Sequence, residues 1–157
     1  MLSNMESSAE ARSALAIAER ASAAPYIDYP PTPAWYAPSV GAWVGLLVLA
    51  GYGASNRPAI FVPLLLVLVA AECAFLAWYR RYRQTMPSMR AVPPEIQAAF
   101  LRYGIGLVVV VGIGTVLYLF VSPYAAAAAA FGLVTAGLAL YERDYANAAA
   151  AARDRLA

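Results

Sequence analysis

The sequence contains no histidine and no lysine, so all eleven of its basic residues are arginine, and Cys73 is its only cysteine. Without histidine there is no Ser/His/Asp or Cys/His catalysis and no histidine ligand for haem or zinc. Without lysine there is no Walker A phosphate loop and no Schiff base. One cysteine excludes an intrachain disulfide and a CxxC redox pair. We therefore predict no catalytic residue, no cofactor and no metal site, and an enzyme is the weakest of the functional hypotheses.

Charged residues are also scarce. Only 13% of the 157 residues are charged and 62% are hydrophobic, whereas an average soluble domain has about a quarter charged and about half apolar residues. This balance is typical of an integral membrane protein. The formal net charge is only +2, and a nucleic-acid partner is not expected at so small a positive charge. We predict that most of the chain is embedded in the lipid bilayer.

Long runs without charge locate the helices that cross the membrane, because a spanning helix needs about 20 apolar residues. The run from Tyr103 to Tyr141 has 39 residues, nearly twice the length of one crossing. Ser122-Pro123 divides it into two helices, since proline ends one helix and can begin the next. Together with two earlier runs, the sequence predicts four spans, at about 36–54, 59–79, 103–121 and 124–141.

These spans predict an all-α fold, a polytopic membrane protein with four transmembrane helices in an antiparallel bundle. Residues 1–34 hold a cytoplasmic helix (11–23) and a proline-rich spacer that starts at Pro25. Residues 35–141 form the transmembrane domain, and residues 142–157 form a helical cytoplasmic tail. The N-terminal helix packs either against this tail or against a partner chain. A re-entrant or interfacial segment is the alternative for the fourth span, because residues 125–130 are only mildly apolar alanines.

The arginines predict the orientation of the chain. Ten of them precede the first span, lie between the second and third, or follow the fourth, and only Arg57 lies on the other side. Under the positive-inside rule both termini and the central loop are cytoplasmic. A cleavable signal peptide is not predicted. The lysine-free composition with 36 alanines favours a bacterial plasma (inner) membrane as the location.

The central loop begins with an arginine cluster formed by Arg80, Arg81 and Arg83. Such a cluster is able to hold anionic lipid headgroups at the inner surface of the membrane. The orientation of the protein explains the same arginines equally well. Both interpretations are kept for these three residues.

Glu72 is the only ionisable acidic or basic residue within the predicted spans, and such residues are by default candidates for function. Trp43 lies at the same depth on the first helix, where its indole N–H is able to donate to the carboxyl group. Thr135 lies within about one turn of that depth on the fourth helix. Two roles stay open for Glu72: a protonated, hydrogen-bonded group that holds helices together, and a proton carrier.

Small residues at spacings of four indicate where helices approach each other closely. The first span contains Gly41-x-x-x-Gly45, and the fourth contains Ala128-x-x-x-Gly132-x-x-x-Ala136. We interpret these patterns as contact faces, either within the chain or between two copies of it.

The residues Glu10-Ala11-Arg12-Ser13-Ala14-Leu15, then Glu19-Arg20, a proline-rich spacer and Pro33-Ala34-Trp35-Tyr36 resemble the opening of small integral membrane proteins of actinobacteria. The resemblance covers about the first 45 residues and implies no activity. The four spans and the single membrane glutamate are similar to small multidrug resistance transporters, in which a membrane glutamate exchanges protons for cationic drugs. Here the glutamate lies in the second helix rather than the first, and the terminal extensions are longer.

Two functional hypotheses follow. The leading one is a non-enzymatic accessory or scaffold subunit that assembles with a second copy or with another membrane protein through small-residue helix faces. The alternative is a small proton-coupled transporter that works as a homodimer around Glu72.

Overall fold

The computed structural model describes residues 2–83 and 92–156, with side chains at 10–82 and 92–156. These residues form five helices, which are α1 (Leu2–Ile27), α2 (Tyr36–Asn56), α3 (Pro58–Arg83), α4 (Pro94–Phe120) and α5 (Pro123–Arg155). Each helix from α2 to α5 is long and apolar enough to cross a membrane. The four pack antiparallel and α1 is added at one end, which confirms the predicted fold class.

The long uncharged run is divided at the predicted break. Helix α4 ends at Phe120, and Ser122 caps the start of α5 by accepting a hydrogen bond from the backbone N–H of Ala125 at 3.1 Å. Pro123 occupies the first turn of α5. Backbone N–H groups in the first turn have no partner within the helix, so the N–H that proline lacks costs no hydrogen bond. The break therefore follows from the local chemistry of three residues.

The two terminal segments differ from the prediction in their helix bounds. Helix α1 continues through Pro25 to Ile27, so the non-helical spacer begins only at Asp28. Tyr26 and Ile27 are 1% and 0% exposed, and their burial supports the last turn of α1 in spite of the proline. The predicted helical tail is continuous with the helix of the fourth span, because α5 runs without interruption to Arg155 and contains no glycine or proline after Gly137.

Helices α2 and α5 form the centre of the molecule. Helix α5 packs against both α2 and α4, whereas α3 contacts α2 alone. Helices α3 and α4 do not touch within the described residues, so the neighbours follow the order α3, α2, α5, α4. The two outer helices therefore expose most of their apolar side chains.

The close approach of α2 to α5 depends on two buried glycines. A Cβ atom at Gly41 would overlap Thr135 Oγ1 and lie 2.7 Å from the carbonyl oxygen of Phe131. A Cβ atom at Gly45 would lie 3.0 Å from the carbonyl oxygen of Ala127. The Gly41-x-x-x-Gly45 pattern is thus a contact face within the chain, where the lack of side chains lets the two backbones meet.

Helix α1 is held against the extension of α5 by a buried cluster at the end of the bundle where α5 ends, here called the terminal cap. Its members are Ala23, Tyr26, Ile27, Ile96, Tyr145, Ala149 and Ala152. The Tyr145 hydroxyl donates to the carbonyl oxygen of Tyr26 at 3.1 Å, and Arg153 donates twice to that of Ile27. The expected contact of α1 with the tail is present at the C-terminal end of α1, whereas Leu15, nearer the middle of this helix, is 70% exposed.

Replacement of Gly41 by alanine tests the contact between α2 and α5. We expect a loss of about 1–3 kcal/mol, because the new methyl group has no room. Thermal unfolding of the purified protein in mild detergent measures the loss. Gly51 on the same helix has no atom within 4 Å of a built Cβ, so Gly51→Ala is the matched control. Equal melting temperatures for the two variants would contradict this packing.

Ala149→Asp tests the terminal cap. Ala149 is 0% exposed, so a carboxylate there is buried without a partner and is expected to detach α1. Limited trypsin digestion then cleaves after Arg20 several-fold faster than in the unchanged protein. Ala150 is the exposed neighbour, and Ala150→Asp should leave the cleavage rate as it was. A similar rate in both variants would rule out the docking of α1 at this position.

Candidate intramembrane site

Glu72 lies on the side of α3 that packs against α2. The shielded residues of α3 recur at alternate spacings of four and three, and they are Phe61, Leu65, Leu68, Glu72, Phe75, Tyr79 and Tyr82. This is the spacing of a coiled-coil seam. Because α3 contacts only α2, the stripe defines the α2–α3 seam, and Glu72 occupies a partly buried position within it.

Trp43 belongs to the same seam but does not bond to Glu72. Its indole Nε1–H donates to the backbone carbonyl oxygen of Leu68 at 3.2 Å. Leu68 precedes Glu72 by one helical turn. The indole therefore lies near the depth of Glu72, as predicted, but its hydrogen bond goes to a backbone carbonyl group instead of the carboxyl group. This bond joins α2 to α3 at a fixed register.

Thr135 lies on the other side of α2. Its hydroxyl donates to the carbonyl oxygen of Phe131 at 2.7 Å and abuts Gly41. Helix α5 makes no contact with α3 among the described residues. The structure therefore separates Thr135 from Glu72 by the width of α2, and the three predicted site residues do not form one cluster.

The Glu72 carboxyl group makes no hydrogen bond or ion pair with any described residue. Two contacts place it along the seam: Trp43 meets Leu68, and the rings of Tyr36 and Phe75 lie 5.9 Å apart. Glu72 is thus level with the turn of α2 that contains Ser39. The sequence analysis missed Ser39, because only the register of the two helices relates its hydroxyl to that depth.

Aromatic rings fill the seam between Glu72 and the end of the bundle that carries the terminal cap. They belong to Trp35, which precedes α2, to Tyr36 of α2, and to Phe75, Trp78, Tyr79 and Tyr82 of α3, with neighbouring centroids 5.1 to 6.0 Å apart. The Tyr82 hydroxyl also donates to the carbonyl oxygen of Pro31 at 3.0 Å. These rings join the two helices firmly at this end, as expected for aromatic residues at a membrane boundary.

The arginine cluster lies where α3 ends. Arg80 and Arg81 are exposed, and neither forms an ion pair with a described residue. The side chain of Arg83 and all of Arg90 lie outside the described residues. The predicted contact with anionic lipid headgroups stays a prediction for Arg80, Arg81 and Arg83.

A groove of about 410 Å³ opens over α5 between α2 and α4. Its walls are apolar, with Val40 and Val44 on one side and Val110 on the other. At one end lies an ion pair between Arg102 Nη1 and Asp144 Oδ2, 3.2 Å long. Sequence analysis did not identify this groove, because it depends on which faces of three helices meet.

Chemically, the seam offers one carboxyl group and no second acid or base bonded to it. Such a carboxyl group is able to form a hydrogen bond with a neighbouring helix, either as donor or as acceptor, or to carry a proton. Comparison of this chain with protein-family models, with curated proteins and with solved structures finds no match.

Proposed function

We propose that this chain is a non-enzymatic multi-span membrane protein that acts as an accessory or scaffold subunit, assembling through α3 with a second copy of itself. The observation that carries the proposal is the Glu72 carboxyl group, which has no bonding partner among the described residues although it lies midway along an apolar helix. A carboxyl group in hydrocarbon costs several kcal/mol unless a polar group meets it. A neighbouring chain supplies that group most simply.

The position of α3 supports this assembly. It is an outer helix that contacts α2 alone, so its remaining faces are free for another helix. Ala70, Ala71, Ala74 and Ala77 are exposed around Glu72, and small residues let a second backbone approach closely enough for a hydrogen bond between helices. Another membrane protein is the alternative partner for the same surface.

The proposed orientation places the terminal cap in the cytoplasm. Ten of the eleven arginines precede the first predicted span, lie between the second and third, or follow the fourth, and Arg57 lies in the turn at the opposite end. This asymmetry supports cytoplasmic termini in a bacterial plasma membrane. Trypsin should therefore cleave after Arg20 in inverted vesicles and not in sealed right-side-out ones.

Cys73 provides a direct test of assembly through α3, because it is exposed, adjoins Glu72 and is the only cysteine of the chain. Oxidation of intact membranes with a membrane-permeant copper complex should yield a disulfide-linked product of about twice the 16.7 kDa chain mass. Glu72→Gln should keep this product, whereas Glu72→Leu should reduce it several-fold, because an interhelical hydrogen bond in a membrane contributes about 0.6–2 kcal/mol.

The matched control moves the thiol to the other outer helix. Val109 of α4 is 52% exposed, and the double variant Cys73→Ser, Val109→Cys should give little linked product. Efficient linkage there and none through Cys73 would place the interface on α4. Only monomer in both experiments, with no protein co-purifying in mild detergent, would defeat the assembly proposal.

A proton-coupled transporter is the second candidate, favoured by the partly buried and unbonded carboxyl group of Glu72. If it is correct, proteoliposomes take up a lipophilic cation in response to a proton gradient. Glu72→Gln abolishes that uptake while the Cys73-linked dimer still forms, because glutamine keeps the shape and loses the exchangeable proton. Uptake that is unchanged in the variant, or an assembled wild-type protein without uptake, would exclude this function.

A further inference from the structure

The length of the groove over α5, measured along the bundle, is about the thickness of one leaflet of a membrane. On α4 its lining extends from Ala99 to Val111, a separation of twelve residues or about 18 Å of helix. On α2 it extends from Tyr36 to Val44, eight residues or about 12 Å. Half of a hydrocarbon core of roughly 30 Å is about 15 Å. A transmembrane helix of a partner would need a groove along the whole bundle, whereas one acyl chain needs a groove of only this length.

Glycine occupies two of the positions that line the groove. Gly106 of α4 and Gly137 of α5 both line it, and a Cβ atom built at either one has no atom within 4 Å. Valine and leucine side chains surround these open positions. The volume of about 410 Å³ falls within the range of roughly 300–1,000 Å³ found for small-molecule sites.

The polar end of the groove carries one charge of each sign. Arg102 and Asp144 form the ion pair, and their side chains are 70% and 46% exposed, so both remain accessible to a headgroup. Tyr103 and Tyr141 stand beside them with ring centroids 4.8 Å apart. Together these groups present a phosphate-binding guanidinium, an ammonium-binding carboxylate and two rings of the kind found at membrane interfaces.

We propose that this groove binds one zwitterionic glycerophospholipid with a primary ammonium group, its acyl chain along the groove, its phosphate at Arg102 and its ammonium at Asp144. The balanced charge of the two residues matches a zwitterion better than an anionic lipid. A primary ammonium has three N–H donors for the carboxylate, whereas a choline group has none. No residue of α3 lines the groove, so the assignment is independent of assembly through Glu72.

Native mass spectrometry of the delipidated full chain tests the proposal with three lipids of the same acyl chains: phosphatidylethanolamine, phosphatidylglycerol and phosphatidylcholine. We expect one phosphatidylethanolamine per chain, bound about tenfold more tightly than the others, the order expected for one additional hydrogen bond to a charged group. Arg102→Gln should weaken binding of all three lipids. Asp144→Asn should shift the preference to phosphatidylglycerol, because it leaves Arg102 as the only charge.

Filling the groove gives a test that does not depend on the headgroup. Gly106→Leu places a side chain in the groove and should reduce binding about tenfold or more. Gly112 of α4 is equally open but does not line the groove, so Gly112→Leu is the matched control and should bind normally. Equal affinity of the unchanged protein for the three lipids would overturn the headgroup assignment. Unchanged binding by Gly106→Leu would overturn the groove as the site.

Discussion

The contact between α2 and α5 is the interaction on which the rest of the structure depends. Gly41 and Gly45 bring the backbone of α2 against the carbonyl groups of Phe131 and Ala127. Apolar helices in lipid gain little by leaving water, so close packing between small residues has to hold them together. Every other helix is positioned by this pair, because α3 packs on α2, α4 packs on α5, and α1 packs on the extension of α5.

Two features follow from this central pair. The outer helices α3 and α4 each have one neighbour among the described helices, so the faces of α3 turned away from α2 stay open for the proposed second chain. On the opposite flank of α2, the glycines of α4 and α5 line a groove that no side chain of the described residues fills. The proposed assembly surface and the proposed lipid site therefore lie on different flanks of α2 and use different helices.

The terminal cap is held by burial more than by charge. Tyr26, Ile27 and Ile96 are almost completely buried, and their burial away from water is the main source of stability for the docked helix. The bonds of Arg155 to Glu19 and Glu95 are short, 2.6 and 2.7 Å. They lie at the surface, where ion pairs contribute little to stability. They join α5 to α1 through Glu19 and to α4 through Glu95.

The sequence by itself determined the four long apolar helices and the break at Ser122-Pro123, because the length of charge-free runs and the local chemistry of proline are properties of the chain alone. It also identified Glu72 as the only acidic or basic residue within the predicted spans. It did not predict that α1 passes through Pro25, since that turn is stabilised by residues more than 100 positions away in the tail.

Only the tertiary structure decided which helix faces meet. It placed Thr135 beside Gly41 and away from Glu72. It also showed that the Trp43 indole donates its hydrogen bond to the carbonyl oxygen of Leu68, and that Ser39 lies level with Glu72. It also brought Arg102 and Asp144 together at the end of a groove. Charge and hydropathy along a chain give the depth of each residue in a membrane, but the rotation of each helix about its axis depends on packing between helices, which no single span encodes.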